Sequence, residues 1–187
     1  MALSNQVAIK VNLNFLSVGR FNEEKDYPNL LKAIFKIIHS TNKNLNFSIA
    51  GDGELRPKLE ELINNLELVN TVSLLGIRHD IPQLLQKADF FILSSKFEGL
   101  PTVVIEAMAC GAFVIATDCG GTAEIMGDTG ILVPPQDPEA LANAIEKALT
   151  MSLEEIENNN QKARERVERL FSLDASVKRW LEIYETA

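Results

Sequence analysis

The chain has 187 residues, 46% hydrophobic and 24% charged, which is the composition of one soluble globular domain with a full core. Its formal net charge of −8 argues against nucleic acid or an anionic membrane held by bulk electrostatics, so any anion must be bound by local groups. The two cysteines, Cys110 and Cys119, lack metal-ligand spacing, and we interpret both as reduced thiols in a cytoplasmic protein. No apolar run approaches the roughly 20 residues that span a bilayer.

Six short apolar runs predict β-strands that alternate with helices. A run without polar alternation is typical of a strand buried on both faces of a parallel sheet. The predicted strands are residues 14–19, 45–50, 72–75, 89–93, 113–117 and 129–133. Their alternation with helices, through short connections, predicts an α/β fold: a Rossmann-like, doubly wound sheet of about six parallel strands with helices on both faces.

Helices are predicted from proline positions and from apolar residues at helical spacing. Proline is tolerated in the first helical turn because its missing N–H would have no partner inside the helix, and Pro28, Pro82, Pro101 and Pro138 stand at such positions. Helices are predicted over residues 26–40, 54–68, 81–88, 152–170 and 174–187, and two more begin at Pro101 and Pro138.

The loop after the first predicted strand offers two cations, Arg20 and Lys25, at the sheet edge where open α/β folds bind ligands. Arginine presents a planar fork to paired phosphate oxygens, and lysine presents a compact charge. The two side chains are therefore candidates for binding an anion. The alternative is that both are solvated beside Glu23 and Glu24.

A second group of candidates surrounds the helix that begins at Pro101. Its first free amides, those of Thr102 and Val103, would add the positive end of the helix dipole to the same crevice. Glu98 precedes this helix and Glu106 lies on it, and carboxylates accept hydrogen bonds from hydroxyls, as in a ribose or a hexose. The alternatives are a plain loop carboxylate and an exposed helical residue. The DCGGT loop, residues 118–122, could equally be only a turn.

Two common phosphate-binding motifs do not fit this sequence. The dinucleotide fingerprint G-x-G-x-x-G must follow the first strand directly, but that strand ends in Gly19 alone, and the later Gly51-Asp52-Gly53 lacks the third glycine. The P-loop pattern G-x-x-x-x-G-K-[ST] does not occur, which excludes a P-loop kinase or ATPase at the level of the motif. Any nucleotide site must therefore be of another kind.

The stretch EGLPTVVIEAMACGAFVIATDCGGTAEI, in which seven residues separate Glu98 from Glu106, resembles the signature of the retaining family 4 glycosyltransferases of the GT-B fold, or glycosyl transferases group 1. Other segments agree in order: SVGRFNEEKDYPNLLKA, IAGDGELRPKLEEL, LLGIRHDIPQLLQKADFFILSS and GILVPPQDPEALANAI. The resemblance runs from about Phe15 to Tyr184. It implies the C-terminal half of a GT-B fold, the domain that binds the nucleotide-sugar donor.

The resemblance also implies roles for individual residues. Arg20 and Lys25 would bind the donor diphosphate, Glu98 would lie by the donor sugar, and Glu106 would hold the ribose hydroxyls. The Thr102 and Val103 amides would take the distal phosphate, while Arg78 falls in the segment that lines the base. The implied catalytic residues are Glu98, Arg20 and Lys25, and the implied donor-binding residues are Arg20, Lys25, Arg78, Gly99, Thr102, Val103 and Glu106.

Such enzymes need no metal or other cofactor for donor binding, since basic residues supply the countercharge. The expected partner is a nucleotide diphosphate sugar, UDP-linked because that donor is commonest, whose hexose passes to a polysaccharide, glycolipid or other acceptor of a bacterial cell envelope. No nucleic acid is expected. The full enzyme is expected to be cytoplasmic, or peripheral at the inner face of the cell membrane through its other domain.

The match covers only a donor domain, with no N-terminal acceptor domain in the chain. We expect residues 14–187 to form a single nucleotide-sugar-binding domain, and residues 1–13 to be an interdomain linker or a start added by cloning. A donor domain alone binds its substrate but positions no acceptor, so we predict that the fragment is inactive. In the family the last helix crosses onto the other domain, so the face with Trp180 and Tyr184 is expected to be partly exposed and to promote self-association.

One departure from the family concerns Asp26, which stands where many members have glycine after the lysine. Two other functions stay open. A nucleotide-sugar-binding scaffold without catalysis would use the same binding residues. A nucleotide-sugar epimerase of the GT-B fold would be expected to lack the pair of glutamates.

Overall fold

The computed structural model describes residues 12–41 and 43–186, and its six parallel strands confirm the predicted Rossmann-like α/β fold. The strands are β1 Asn12–Val18, β2 Asn44–Ala50, β3 Val72–Gly76, β4 Phe90–Leu93, β5 Phe113–Thr117 and β6 Ile131–Val133. The helices are α1 Tyr27–Ile38, α2 Arg56–Asn65, α3 Ile81–Lys87, α4 Thr102–Cys110, α5 Thr122–Met126, α6 Pro138–Thr150, α7 Leu153–Phe171 and α8 Leu173–Thr186.

Several boundaries differ from the predicted ones for local reasons. Helix α2 ends at Asn65, earlier than predicted, because Glu67 adopts a left-handed conformation with φ 56°. Helix α4 begins at Thr102, so Pro101 occupies the N-cap position and is not the first helical residue. The five-residue helix α5 lies where we predicted no helix. Residues 1–11 of the predicted linker lie outside the described residues, and β1 begins at Asn12, two residues before the expected domain start.

The strand order β3-β2-β1-β4-β5-β6 reverses direction between β1 and β4. These two central strands pair in parallel, with Phe15 opposite Phe90 and Leu16 opposite Phe91. In open α/β sheets the loops that leave such a neighbouring pair run to opposite faces, which opens a crevice beyond the carboxyl ends of the strands. The loops after β1 and β4, which carry Lys25 and Glu98, flank this crevice.

Two apolar layers cover the sheet. On one face, α1, α2 and α6 pack against a core centred on Phe15, whose ring stacks on Phe47 at 4.4 Å and on Phe90 at 4.8 Å between ring centroids. On the other face, α3, α4 and α7 pack against Leu16, Phe91 and their neighbours. Because both faces of β1, β4 and β5 are buried, the sheet is a rigid base for the loops at its edge.

Helix α1 begins after a residue in an unusual conformation. Asp26 has φ 44° and ψ 48°, in the left-handed region that glycine adopts freely, and its side chain makes no hydrogen bond that caps the helix. A glycine at this position would adopt the same conformation without strain. Burial also raises the pKa of the Asp26 carboxyl above its usual value of 3.8.

Replacing Asp26 with glycine is expected to raise the free energy of unfolding by about 1 kcal/mol, because it relieves the left-handed strain. The gain should be larger at pH 7 than near pH 3. The raised pKa of Asp26 means that its favourable contribution is complete below about pH 3.8 and is lost as the pH rises through the folded-state pKa. Urea unfolding followed by circular dichroism at both pH values measures this.

The matched control is Asp26→Asn, which keeps a side chain that tolerates the left-handed region but removes the charge. It should reproduce the pH-dependent part of the gain without the strain-dependent part. An Asp26→Gly protein less stable than the parent at pH 7 would contradict our account of this turn.

Candidate functional site

The crevice between the loops after β1 and β4 contains a mostly buried ion pair. Lys25 Nζ donates to Glu98 Oε1 at 2.5 Å, and the two side chains are only 20% and 12% exposed. The hydroxyl of Ser95 donates to the same carboxylate oxygen at 2.6 Å. The structure therefore brings together two of the predicted catalytic residues, which lie 73 positions apart in the sequence.

Hydrogen bonds hold the two loops against each other. Ser94 Oγ donates to the Lys25 carbonyl at 2.9 Å, and the Lys96 amide donates to the Glu24 carbonyl at 2.9 Å. From β5, the buried hydroxyl of Thr117 donates to the Ser95 carbonyl at 2.6 Å. These bonds attach the Lys25 loop and the Glu98 loop to the centre of the sheet, so the ion pair has a defined position.

The stem of Lys25 runs past Gly19 and the ring of Tyr27. A Cβ atom at Gly19 would lie 3.0 Å from both Lys25 Cε and the Tyr27 hydroxyl oxygen, so a larger residue would crowd the lysine. Burial raises the pKa of Tyr27 well above its usual range, even though the Ser17 side chain hydrogen-bonds to it. Tyr27 is therefore a neutral wall of the site throughout the physiological pH range.

A third loop, residues 118–121, packs directly beneath Glu98 and Gly99. Gly120 has φ 55°, and a Cβ atom there would overlap the Glu98 carbonyl oxygen. The Gly121 amide donates to the Gly99 carbonyl at 2.7 Å. The sequence alone leaves open whether this DCGGT segment is only a turn. Its paired glycines were the signal for the close backbone approach that supports Glu98.

The N-terminus of α4 faces the same edge of the sheet as this loop. The first backbone hydrogen bond at this end of the helix runs from the Val104 amide to the Pro101 carbonyl, at 3.0 Å. Among the described residues, none accepts a hydrogen bond from the Thr102 or Val103 amide. Free amides at a helix N-terminus, together with the helix dipole, are suited to bind an anion.

Three predicted site residues, Arg20, Arg78 and Glu106, lie at the surface and form no hydrogen bond or ion pair with Lys25 or Glu98. Arg20 is exposed, with its guanidinium 3.6 Å from Glu54. Arg78 makes two hydrogen bonds to Asp80, at 2.8 and 2.6 Å, which raise the pKa of Arg78 and lower that of Asp80. Glu106 is exposed on α4. Of the predicted site residues with charged side chains, all of which are described, only Lys25 and Glu98 bond directly to each other.

Within residues 12–41 and 43–186, no three His, Cys, Asp or Glu side chains are grouped so that they could hold a metal ion. Metal-independent donor binding stays a prediction. In the same part of the chain, no helix is long and apolar enough to cross a membrane. Cys110 and Cys119 are both free thiols.

Comparison with known proteins identifies the family of this chain. The sequence profile of the family described as "Glycosyl transferases group 1" matches residues 4–166. The chain belongs to this family. A curated member, the N-acetylgalactosamine-N,N'-diacetylbacillosaminyl-diphospho-undecaprenol 4-alpha-N-acetylgalactosaminyltransferase of Campylobacter jejuni, is 33% identical over 137 residues, which are 72% of this chain and 36% of that protein.

Solved structures of GT-B glycosyltransferases share the fold of this chain. A glycosyltransferase from Rickettsia africae ESF-5 has a TM-score of 0.85 at 28% identity, with 93% of this chain and 47% of that one covered. Anabaena Alr3699/HepE, in complex with UDP and glucose, has a TM-score of 0.84 at 25% identity, with 95% and 49% covered. The chain spans less than half the length of the first curated relatives that it matches, between 28% and 44%.

Replacing Gly120 with alanine is expected to lower the free energy of unfolding by about 2–4 kcal/mol, because it adds left-handed strain and a clash with the Glu98 carbonyl. Gly99→Ala is the matched control. A Cβ at Gly99 meets no atom within 4 Å, so the change should stay within about 0.5 kcal/mol. Urea unfolding of the two variants measures the difference, and equal stabilities would show that the close approach does not hold the Glu98 loop.

Proposed function

We propose that this chain is the donor-binding domain of a retaining glycosyltransferase. The observation that carries the proposal is the mostly buried pair of Lys25 and Glu98, at the point where the strand order reverses and at the sheet edge that the free amides of α4 also face. A cation and helix amides suit a diphosphate, and a carboxylate suits sugar hydroxyls. The likeness to HepE with UDP and glucose supports a nucleotide sugar as the ligand.

The diphosphate lies between Lys25 and the N-terminus of α4. The Thr102 and Val103 amides donate to the distal phosphate, and Lys25 turns from Glu98 toward the phosphate oxygens. Arg20 joins them from the surface. Its guanidinium is exposed, and its one ionic partner among residues 12–41 and 43–186 is Glu54 at 3.6 Å, so moving it costs little.

The sugar and the nucleoside occupy the two sides of the diphosphate. Glu98 and Gly99 border the donor sugar, and Glu106 on α4 accepts hydrogen bonds from the ribose hydroxyls. Arg78 lines the base, which we take to be uracil. The Glu106 carboxylate and the Arg78 guanidinium are both exposed. They can therefore reach a ligand that arrives from solvent without breaking buried contacts.

The reaction transfers a hexose with retention of configuration, and the nucleoside diphosphate leaves. Positive groups aimed at the leaving diphosphate stabilise the charge that develops there, so the chain's own residues take the part that a metal ion plays elsewhere. Loss of Arg20 or Lys25 would cost on the order of 2 to 4 kcal/mol of transition-state stabilisation, as for other lost electrostatic donors.

The acceptor site belongs to a second domain of the full protein. The acceptor is a polysaccharide or glycolipid, a proposal supported by the lipid-linked acceptor named for the Campylobacter relative. That domain also gives the full enzyme its peripheral contact with the inner face of the cell membrane. It covers the exposed apolar side chains of α8, which include Leu173, Trp180 and Tyr184.

Calorimetric titration of the chain with UDP, GDP and ADP, with and without magnesium, tests the donor site. We expect metal-independent binding of one nucleotide, UDP. Lys25→Ala should weaken its affinity about ten- to a hundredfold, since hydrogen bonds to charged groups contribute roughly 1.5–3 kcal/mol.

The matched control is Lys36→Ala. Lys36 also donates to a carboxylate at 2.5 Å, that of Glu139, but this pair is exposed and joins α1 to α6. Its loss should leave nucleotide affinity unchanged. If none of the three nucleotides binds the parent chain, or if both lysine variants bind equally well, the proposed donor site is wrong.

A separate prediction concerns turnover. The 187-residue chain should bind its donor yet transfer no sugar to acceptors, because it positions no second substrate. Incubation with radiolabelled UDP-glucose and a bacterial lipid extract, followed by extraction of labelled lipid, measures transfer. Labelled product formed at a rate above the protein-free control would disprove the predicted inactivity.

A further inference from the structure

We propose that Ser95 is a positioning residue, which fixes the Glu98 carboxylate so that its free oxygen, Oε2, faces the donor sugar. This inference rests on the proposed function. Its basis is the distribution of hydrogen bonds over the two oxygens of that carboxylate. Both side-chain donors, Ser95 Oγ at 2.6 Å and Lys25 Nζ at 2.5 Å, reach Oε1, and within the described residues Oε2 receives none.

Binding of a diphosphate changes these two donors differently. The Lys25 ammonium is drawn toward the phosphate oxygens because they carry more negative charge than one carboxylate. The neutral Ser95 hydroxyl has no such reason to move. When the donor binds, Ser95 therefore becomes the group that keeps Oε1 turned inward, and Oε2 stays available to accept hydrogen bonds from sugar hydroxyls.

Ser95 is itself held rigidly enough for this role. Its residue is completely buried, and its carbonyl accepts the hydrogen bond from Thr117, which is also completely buried and lies on β5. The backbone that carries the hydroxyl is therefore fixed between the ends of the neighbouring strands β4 and β5. A hydroxyl fixed on one side and a carboxylate 12% exposed on the other leave Glu98 little rotational freedom.

The neighbouring serine has a different task. Ser94 donates to the Lys25 carbonyl and thereby holds the backbone of the cationic loop. The serine pair thus separates two functions: Ser94 acts on the loop that carries the phosphate-binding lysine, and Ser95 acts on the carboxylate that faces the sugar. Loss of the Ser95 hydroxyl should affect recognition of the sugar more than recognition of the diphosphate.

The test is a double-mutant cycle on binding of two probes, UDP and UDP-glucose, by calorimetry. Ser95→Ala should weaken UDP-glucose binding about tenfold and UDP binding less than twofold. In a Glu98→Ala background, Ser95→Ala should cause no further loss, because a residue that acts through Glu98 has nothing left to position. A general structural effect would instead weaken both probes and persist in that background.

Thr129→Val is the matched control, since Thr129 is a buried hydroxyl residue that donates to the Met126 carbonyl, away from the crevice. It should leave both affinities unchanged. Ser95→Cys, which has the same branching but a slightly larger and only weakly donating side-chain group, is the second variant if Ser95→Ala does not fold, and it should shift affinities in the same direction.

The outcomes distinguish the two proposals. If the parent chain binds neither probe, the proposed function is wrong. If it binds both and Ser95→Ala behaves like Thr129→Val, or if Ser95→Ala still weakens UDP-glucose binding in the Glu98→Ala background, the role of Ser95 is wrong while the donor site stands.

Discussion

The site depends on the ion pair of Lys25 and Glu98, in which each charge needs the other as its partner. A mostly buried carboxylate or ammonium is costly when unpaired, and Glu98 and Lys25 each remove that cost for the other. Such a pair contributes little net stability, so it is poor evidence for a structural role. It is better suited to a binding site. There, a ligand with more negative charge can take the lysine from the carboxylate, and its own bonds to the lysine replace the ion pair.

Close backbone contacts make this pair possible. Gly120 lies against the Glu98 carbonyl, and Gly19 leaves space for the stem of Lys25. Where two loops approach within van der Waals contact of each other's backbone, a side chain cannot be accommodated. The crevice is therefore shaped as much by absent Cβ atoms as by the charged groups that line it.

The strands and most helix starts could be predicted from the sequence, because apolar runs and prolines are local signals. The helix α5 could not, because its five residues are too few to show periodicity. The hydrogen bonds from Lys25 and Ser95 to Glu98 could not be predicted from the sequence either. The Lys25 bond depends on the pairing of β1 with β4, which no local pattern indicates. Sequence likewise placed Arg20 and Lys25 in one loop without indicating that one points outward and the other inward.

The position of β1 in the middle of the sheet has a consequence for synthesis on the ribosome. Its neighbour β2 follows soon after it, but its other neighbour, β4, begins only at Phe90. Until that segment emerges, one edge of β1 and one side of the Phe15 ring stay open to other chains, the exposure that favours aggregation of nascent proteins. The strand that later supports the crevice is thus an aggregation-prone edge while the protein is being made.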